Sequence, residues 1–231
     1  SGALLIREYF TENIYPNSAQ FTYAGGTAHP TASLVRAMLV ASAVQMRGMY
    51  PRKQFTSTAE RINRSGFGRI ALDRVLEFGA GSTVQTVVLS NERNEIALSE
   101  GRSAVWCISL SGSASQDASA DVIIALAYAD YPSSPLAKTT LVNDLRLEVL
   151  LDGALLSVND LAVGARELRT NIERSSARLS KEESTLSVRV AADDIGFGQL
   201  QSYSLVLIVK RNSAANTIVA SAISAPVLSS L

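Results

Sequence analysis

Cysteine, histidine and tryptophan occur once each in a chain of 231 residues. A lone Cys107 cannot close an intrachain disulfide, and its place in the apolar run Ala104-Val105-Trp106-Cys107-Ile108 predicts a buried structural thiol. With one histidine and one cysteine a zinc site lacks donors, and any Ser-His-Asp triad would have to use His29. Neither sign of charge is in excess. The 21 basic and 21 acidic side chains cancel, which removes a general electrostatic pull toward nucleic acid or an anionic membrane. No run approaches the roughly 18 uninterrupted apolar residues that span a bilayer, and the amino terminus has no basic start followed by an apolar signal core. Internal repeats are absent.

What is present is enough for a packed core: 47% of residues are hydrophobic and 18% charged. The amphipathic pattern begins at once, with Ala3-Leu4-Leu5-Ile6 and then Tyr9-Phe10, as expected of a chain cut from within a larger protein. Leu4, Leu5 and Tyr9 fit one face of a short helix. A second helix is predicted over Thr31 to Met46, with Leu34, Val35, Met38, Leu39 and Ala43 at three- and four-residue spacing and Pro30 at its start. Tyr23-Ala24-Gly25-Gly26-Thr27 is turn material between them, and a third, shorter helix is expected from Ile70 to Phe78, closed by Gly79.

Beyond Gly79-Ala80-Gly81 the period changes to two. Strands are predicted at Thr83–Leu89, Ser103–Leu110, Val122–Tyr128, Leu145–Leu151, Asn171–Leu179, Thr185–Ala191 and Tyr203–Lys210. Short strands without intervening helices favour an antiparallel β-sandwich, in particular a jelly roll. The expected class is therefore α+β, with helices over 1–79, a β-sandwich over 80–212 and a Ser/Ala-rich tail over 213–231 that could be a linker or a packed edge. The Ser111 to Ser119 stretch reads as a loop.

Several separated blocks, taken in order, resemble the end of the subtilisin-like serine protease family. The opening Ser1-Gly2-Ala3-Leu4-Leu5-Ile6-Arg7-Glu8-Tyr9-Phe10 with Tyr15-Pro16 is similar to the helix that continues from that family's nucleophilic serine. The segment from Pro30 to Ala43 resembles the following helix, and Gly66-Phe67-Gly68-Arg69-Ile70 resembles the Gly-Trp-Gly-Arg-Val that closes the catalytic domain. Further on, Tyr128-Ala129-Asp130, Leu141-Val142-Asn143-Asp144-Leu145-Arg146-Leu147, Thr170-Asn171-Ile172-Glu173 and Gln201-Ser202-Tyr203-Ser204-Leu205 resemble successive markers of the jelly roll appended to some members. Departures stand at Tyr128 for Trp, Arg146 for Asp, Thr170 for Asn and Ser202 for Pro. Those at Arg146 and Thr170 remove groups that would serve an inherited calcium site.

The resemblance implies a helical remnant of a subtilisin-type α/β domain followed by a jelly roll, with no catalytic residue in this chain. The family's Gly-Thr-Ser-Met-Ala-Xaa-Pro elbow has no counterpart. Its serine would fall several positions before Ser1, with the aspartate, histidine and oxyanion asparagine further upstream. Gly26-Thr27-Ala28-His29-Pro30 echoes the elbow only superficially, because Ala28 stands at the serine's position and His29 reads as a surface or loop-capping residue. Subtilisin chemistry needs a serine, its histidine, an orienting aspartate and oxyanion donors, so no activity is expected of the chain alone.

Calcium is the one metal left open, since oxygen donors suffice for it. Asp193-Asp194 near Gly196, and Asp152 near Asp130 or Asp144, are the candidate carboxylates. Asn143-Asp144 inside a strand-like stretch is expected to fix a bulge or the contact between jelly roll and catalytic domain. Trp106 and Tyr128 are expected to fill the sandwich core. Asn63-Arg64-Ser65 is a formal glycosylation sequon, meaningful only in a secreted chain. Cysteine usage leans toward a reducing compartment, whereas the family resemblance leans toward a secreted or extracytoplasmic one.

The expected partner is the upstream catalytic portion of the same protease, because helices stripped of their central sheet leave apolar faces uncovered. The alternatives are a jelly-roll binding module for protein or sugar, marked by exposed aromatics on a sheet face, and a catalytically dead relative that acts as a scaffold.

Overall fold

The structure, a computed structural model, describes residues 1–17, 29–46, 65–79, 81–92, 96–112, 119–137, 140–159, 161, 163, 170–179, 183–212, 218–223 and 226–230. Among these residues, two short helices and twelve strands are formed, and they build three layers, helices, a four-stranded sheet and a second, larger sheet, with one short two-stranded pair besides. Among the described residues no helix is long and apolar enough to cross a membrane.

Helix α1 (Gly2–Thr11) buries Ile6, Tyr9 and Phe10, which the helical repeat brings to one side. Its end is set by Asn13, which takes the left-handed conformation at φ 54 just beyond the C-cap. The N–H groups of Asn13 and Ile14 then return to the carbonyls of Phe10 and Tyr9 at 3.2 and 3.1 Å, the paired bonds of a Schellman motif. Helix α2 (Ala32–Ser42) buries Leu34, Ala37, Met38 and Ala41. Thr31, with extended backbone, is its N-cap and accepts the Leu34 N–H at 3.2 Å, so Pro30 lies just outside the helix.

The third helix predicted over Ile70–Phe78 is not formed; only Leu72–Arg74 makes a 3₁₀ turn. Both flanks have stronger engagements. Val44 and Arg69 exchange backbone bonds of 2.8 and 2.9 Å, and only glycine fits at position 68, where a Cβ would lie 2.2 Å from the Val44 carbonyl oxygen. Downstream, the Val75 carbonyl accepts from Thr86 Oγ1 at 2.6 Å and a Glu77 carboxylate oxygen accepts from the Thr86 N–H at 2.9 Å, which draws the chain along a sheet edge.

The strands are β1 (Val84–Ser90), β2 (Ala97–Leu98), β3 (Arg102–Ser111), β4 (Ala120–Ala127), β5 (Asn143–Leu151), β6 (Ala154–Leu155), β7 (Ile172–Leu179), β8 (Glu183–Ile195), β9 (Gln201–Ser202), β10 (Ser204–Arg211), β11 (Val219–Ile223) and β12 (Val227–Ser230). One sheet runs β1-β10-β4-β7 and the other β3-β8-β5-β6, all antiparallel, and the main strands alternate between them along the chain. That is the strand order of a jelly roll. The tail is a packed edge: β11 and β12 both pair with β3, and Gln85 of β1 reaches across to bond the Ala220 N–H and carbonyl at 2.7 and 3.3 Å.

Between the sheets lies a core built on Trp106, Tyr128, Tyr203 and the inward residues of β3, β4, β5, β8 and β10. Trp106 and Tyr128 fill it as expected. A second core joins Ile6, Tyr9, Phe10, Leu34 and Met38 of the helices to the other face of the β1-β10-β4-β7 sheet, at Val84, Val88, Ile123, Ala125, Val206 and Ile208. The apolar runs of β4 and β10 therefore have both faces covered: Ile124 and Leu207 face the sandwich, while Ile123 and Ile208 face the helices. Cys107 is exposed, contrary to expectation, because strand alternation sends Trp106 and Ile108 inward and the residue between them out.

Candidate interaction and ion sites

The helical layer is fastened to the sandwich by polar contacts that the sequence did not announce. Arg36 of α2 donates to the Tyr128 carbonyl at 3.2 Å and to Asn171 Oδ1 at 2.7 Å, while Asn171 Nδ2 donates to the same carbonyl at 2.7 Å. Around the α2 N-cap, Thr31, Ser33, Asn91 and Ser204 form a buried cluster. In it Thr31 Oγ1 donates to Asn91 Oδ1 at 2.7 Å and the Ser33 and Ser204 hydroxyls lie 2.8 Å apart. The sequence places the helix start at Pro30 and Thr31, but not the hydroxyl partners of Thr31, which lie 60 and 173 positions away.

Asn143 is wholly buried and works as a brace. Its Nδ2 donates to Gln201 Oε1 at 2.8 Å and to the Phe197 carbonyl at 3.1 Å, and its Oδ1 accepts the Phe197 N–H at 3.0 Å. Asp130 completes the corner, accepting the N–H groups of Tyr131, Val142 and Asn143 at 2.8 to 2.9 Å. The β5–β8 register slips between Asp144 and Leu145, the bulge expected at this pair. Of the two roles foreseen for Asn143, bulge or contact with the helical part, the geometry assigns the first; the second falls to Arg36 and Asn171.

The candidate calcium carboxylates are dispersed. Asp144 and Asp194 are cross-strand neighbours. Asp152 lies at the opposite end of β5, about 26 Å from Asp144 at strand rise, where it accepts the Thr185 N–H at 2.8 Å, so its proposed grouping with Asp130 or Asp144 does not occur. Asp193 carries a two-pronged ion pair from Arg146, Nε–Oδ2 at 2.8 Å and Nη2–Oδ1 at 3.2 Å. Arg146 also meets Glu148, which Arg189 contacts at 2.9 Å. Arg146 itself supplies the positive charge beside Asp193 and Glu148, and it is held above its ordinary pKa, chiefly by its hydrogen bond to Asp193. Among the described residues no group of three or more His, Cys, Asp or Glu side chains is placed to hold a metal. Thr170 Oγ1 accepts the Ile172 N–H at 3.2 Å at the start of β7.

Among the described residues, two of the exposed apolar places bear on function. Leu4 and Leu5 on the outer side of α1 are 58% and 52% exposed, although Leu4 and Leu5 were assigned to the same helix face as the buried Tyr9. Beside them lies a groove of about 730 Å³. Ala3, Leu4 and Arg7 of α1, His29 and Pro30, and Val35, Arg36 and Leu39 of α2 line it. His29 is exposed and, among the described residues, makes no bond to a serine or a carboxylate. At a loop end of the sandwich, Tyr131 and Phe197 form a tilted pair, ring centroids 4.6 Å apart and planes at 58°, while 41% and 60% exposed. Among the described residues the exposed aromatics thus sit on loops, whereas the sheet tryptophan is buried. The sequon residues Asn63 and Arg64 lie outside the described residues.

No protein-family model matches the chain. Over 158 residues, 67% of its length, the chain is 32% identical to the serine protease/ABC transporter B family protein tagA of Dictyostelium discoideum. That stretch is 8% of the relative, so the chain spans less than a tenth of the protein it matches. The similarity links this chain to a protein named as a serine protease.

Proposed function

We propose that this chain is the carboxy-terminal structural part of a subtilisin-like serine endopeptidase, in which α1 and α2 complete the catalytic domain and the jelly roll buttresses them. The reading rests on one observation above the others. The helix similar to the one that follows the family's nucleophile is clamped to the jelly roll on one side and presents Leu4 and Leu5 to solvent on the other. An apolar helix face beside a rigid support is what a missing layer of a catalytic domain would cover. The chain itself supplies no nucleophile or base, and its partner is the upstream catalytic portion of the same protease, joined in one polypeptide or processed into a second chain. The likeness to a protein named as a serine protease supports the same reading.

Native and denaturing mass spectrometry of material from its natural source, after treatment with a fluorophosphonate that labels activated serines, tests this. A labelled polypeptide in the same complex, or labelled sequence upstream of Ser1, upholds the proposal. Complexes without labelled serine refute it and favour the binding-module reading, for which the solvent-facing Tyr131–Phe197 pair is the natural contact.

A further inference from the structure

We infer that the groove between α1 and α2 seats an acidic segment carrying an aliphatic anchor, contributed by the upstream portion of the protease; this rests on the functional reading above. The argument is one of unbalanced charge around an apolar floor. Leu4, Val35 and Leu39 offer aliphatic surface, and the ionisable groups of the wall are Arg7, Arg36 and His29, with no acid among them. In contrast, Arg74, Arg146 and Arg189 each pair with a carboxylate: Arg74 with Asp121 at 3.5 Å, Arg146 with Asp193 at 2.8 Å and Arg189 with Glu148 at 2.9 Å. Arg36 spends its hydrogen bonds on neutral acceptors, the Tyr128 carbonyl and the Asn171 amide, which orient the guanidinium without cancelling its charge. Arg7 has no ion-pair partner among the described residues. In a chain of zero formal net charge this is a local excess, and it flanks the exposed helix face that awaits a partner.

The chemistry of the occupant follows. A guanidinium prefers a carboxylate it can meet with two parallel hydrogen bonds, and an aliphatic slot prefers a branched side chain. A volume of about 730 Å³ admits a few side chains and excludes a whole element, so the occupant is a short segment. A basic segment would face two uncompensated arginines and is rejected.

The test uses the whole chain and a fluorescein-labelled short peptide of alternating leucine and glutamate pairs, followed by fluorescence anisotropy. A leucine/lysine peptide and a glycine/glutamate peptide are the controls. Saturable binding of the first peptide alone is expected, weakened about tenfold or more by Arg7→Glu and by raising salt from about 0.05 to about 0.5 M, and weakened by Leu4→Ser. Arg7 is exposed, so the fold of the variant is expected to stand, checked by Trp106 emission. Equal binding of acidic and basic peptides, or indifference to Arg7→Glu, overturns the inference.

The same variant is then carried into the fluorophosphonate experiment. A labelled partner retained equally by wild type and Arg7→Glu at every salt concentration overturns the inference while the protease reading stands. Acidic-peptide binding in a chain with no labelled partner upholds the groove's chemistry and overturns its assignment to the protease's own polypeptide.

Discussion

Replacing Asn143 by alanine removes three hydrogen bonds from a wholly buried position, and their costs differ. Gln201 is buried, and its Oε1 loses the donor at 2.8 Å while its Nε2 keeps the Ala129 and Ser202 carbonyls at 3.0 and 2.8 Å. A stranded buried acceptor costs about 1–3 kcal/mol. Phe197 is 60% exposed, so water can reach its N–H and carbonyl, and those two bonds contribute about 0.5 kcal/mol each. The sum is about 3 kcal/mol, and at about 2–4 °C per kcal/mol for a domain of this size the midpoint should fall by about 6–12 °C. Trp106, the only tryptophan, is buried edge-on to Tyr203 with ring centroids 6.3 Å apart, so its emission reports unfolding directly. The double variant Asn143→Ala/Gln201→Ala should cost less than the sum of the singles, because it removes the stranded acceptor along with its donor. A midpoint for Asn143→Ala within about 2 °C of wild type would refute the brace.

Burial holds the Glu77 carboxyl above its ordinary pKa, offset in part by the Thr86 N–H and the Arg211 charge. The folded chain thus keeps this proton to higher pH than the unfolded chain, and the group's contribution to stability falls as pH rises from the ordinary carboxyl value of 4.5 through the raised one. Glu77→Gln, whose amide oxygen can still accept from Thr86, should lose that slope, matching wild type at acid pH and unfolding at a somewhat higher temperature at neutral pH; a midpoint below wild type there would count against it. Arg146→Asp puts a third carboxylate beside Asp193 and Glu148, so it should destabilise by about 1–2 kcal/mol and be partly rescued by millimolar calcium, measured as midpoints with and without the ion. Failure of calcium to raise the variant's midpoint would mean the carboxylates cannot converge. Cys107 should react with a thiol reagent at one equivalent in the folded chain, and labelling seen only in denaturant would contradict its exposure.

Alternation made the sandwich legible: all seven strands predicted from it form, most within two residues of their predicted bounds, because one face of each meets an apolar core. Where alternation was weak, reading failed for identifiable reasons. The tail strands Val219–Ile223 and Val227–Ser230 carry little pattern of their own and are recruited by the edge of β3. The 70–78 segment has helical spacing, yet Val75 and Glu77 are drawn to Thr86 instead. Cys107 was misplaced by averaging over an apolar run in place of following its alternation. The fasteners between helices and sandwich were illegible in principle, since nothing near Arg36 indicates that its guanidinium ends on a carbonyl 92 positions later.

The sheet β1-β10-β4-β7 is a wall common to two cores, with alternate residues of β4 and β10 committed to opposite sides. A chain beginning at β1 would therefore open Ile123, Ala125, Val206 and Ile208 to water, and helices without the sandwich would lose the surface they fold upon. Separating the two would expose apolar surface on both pieces, so in this chain a change that loosens the helices also loosens the sheet they cover.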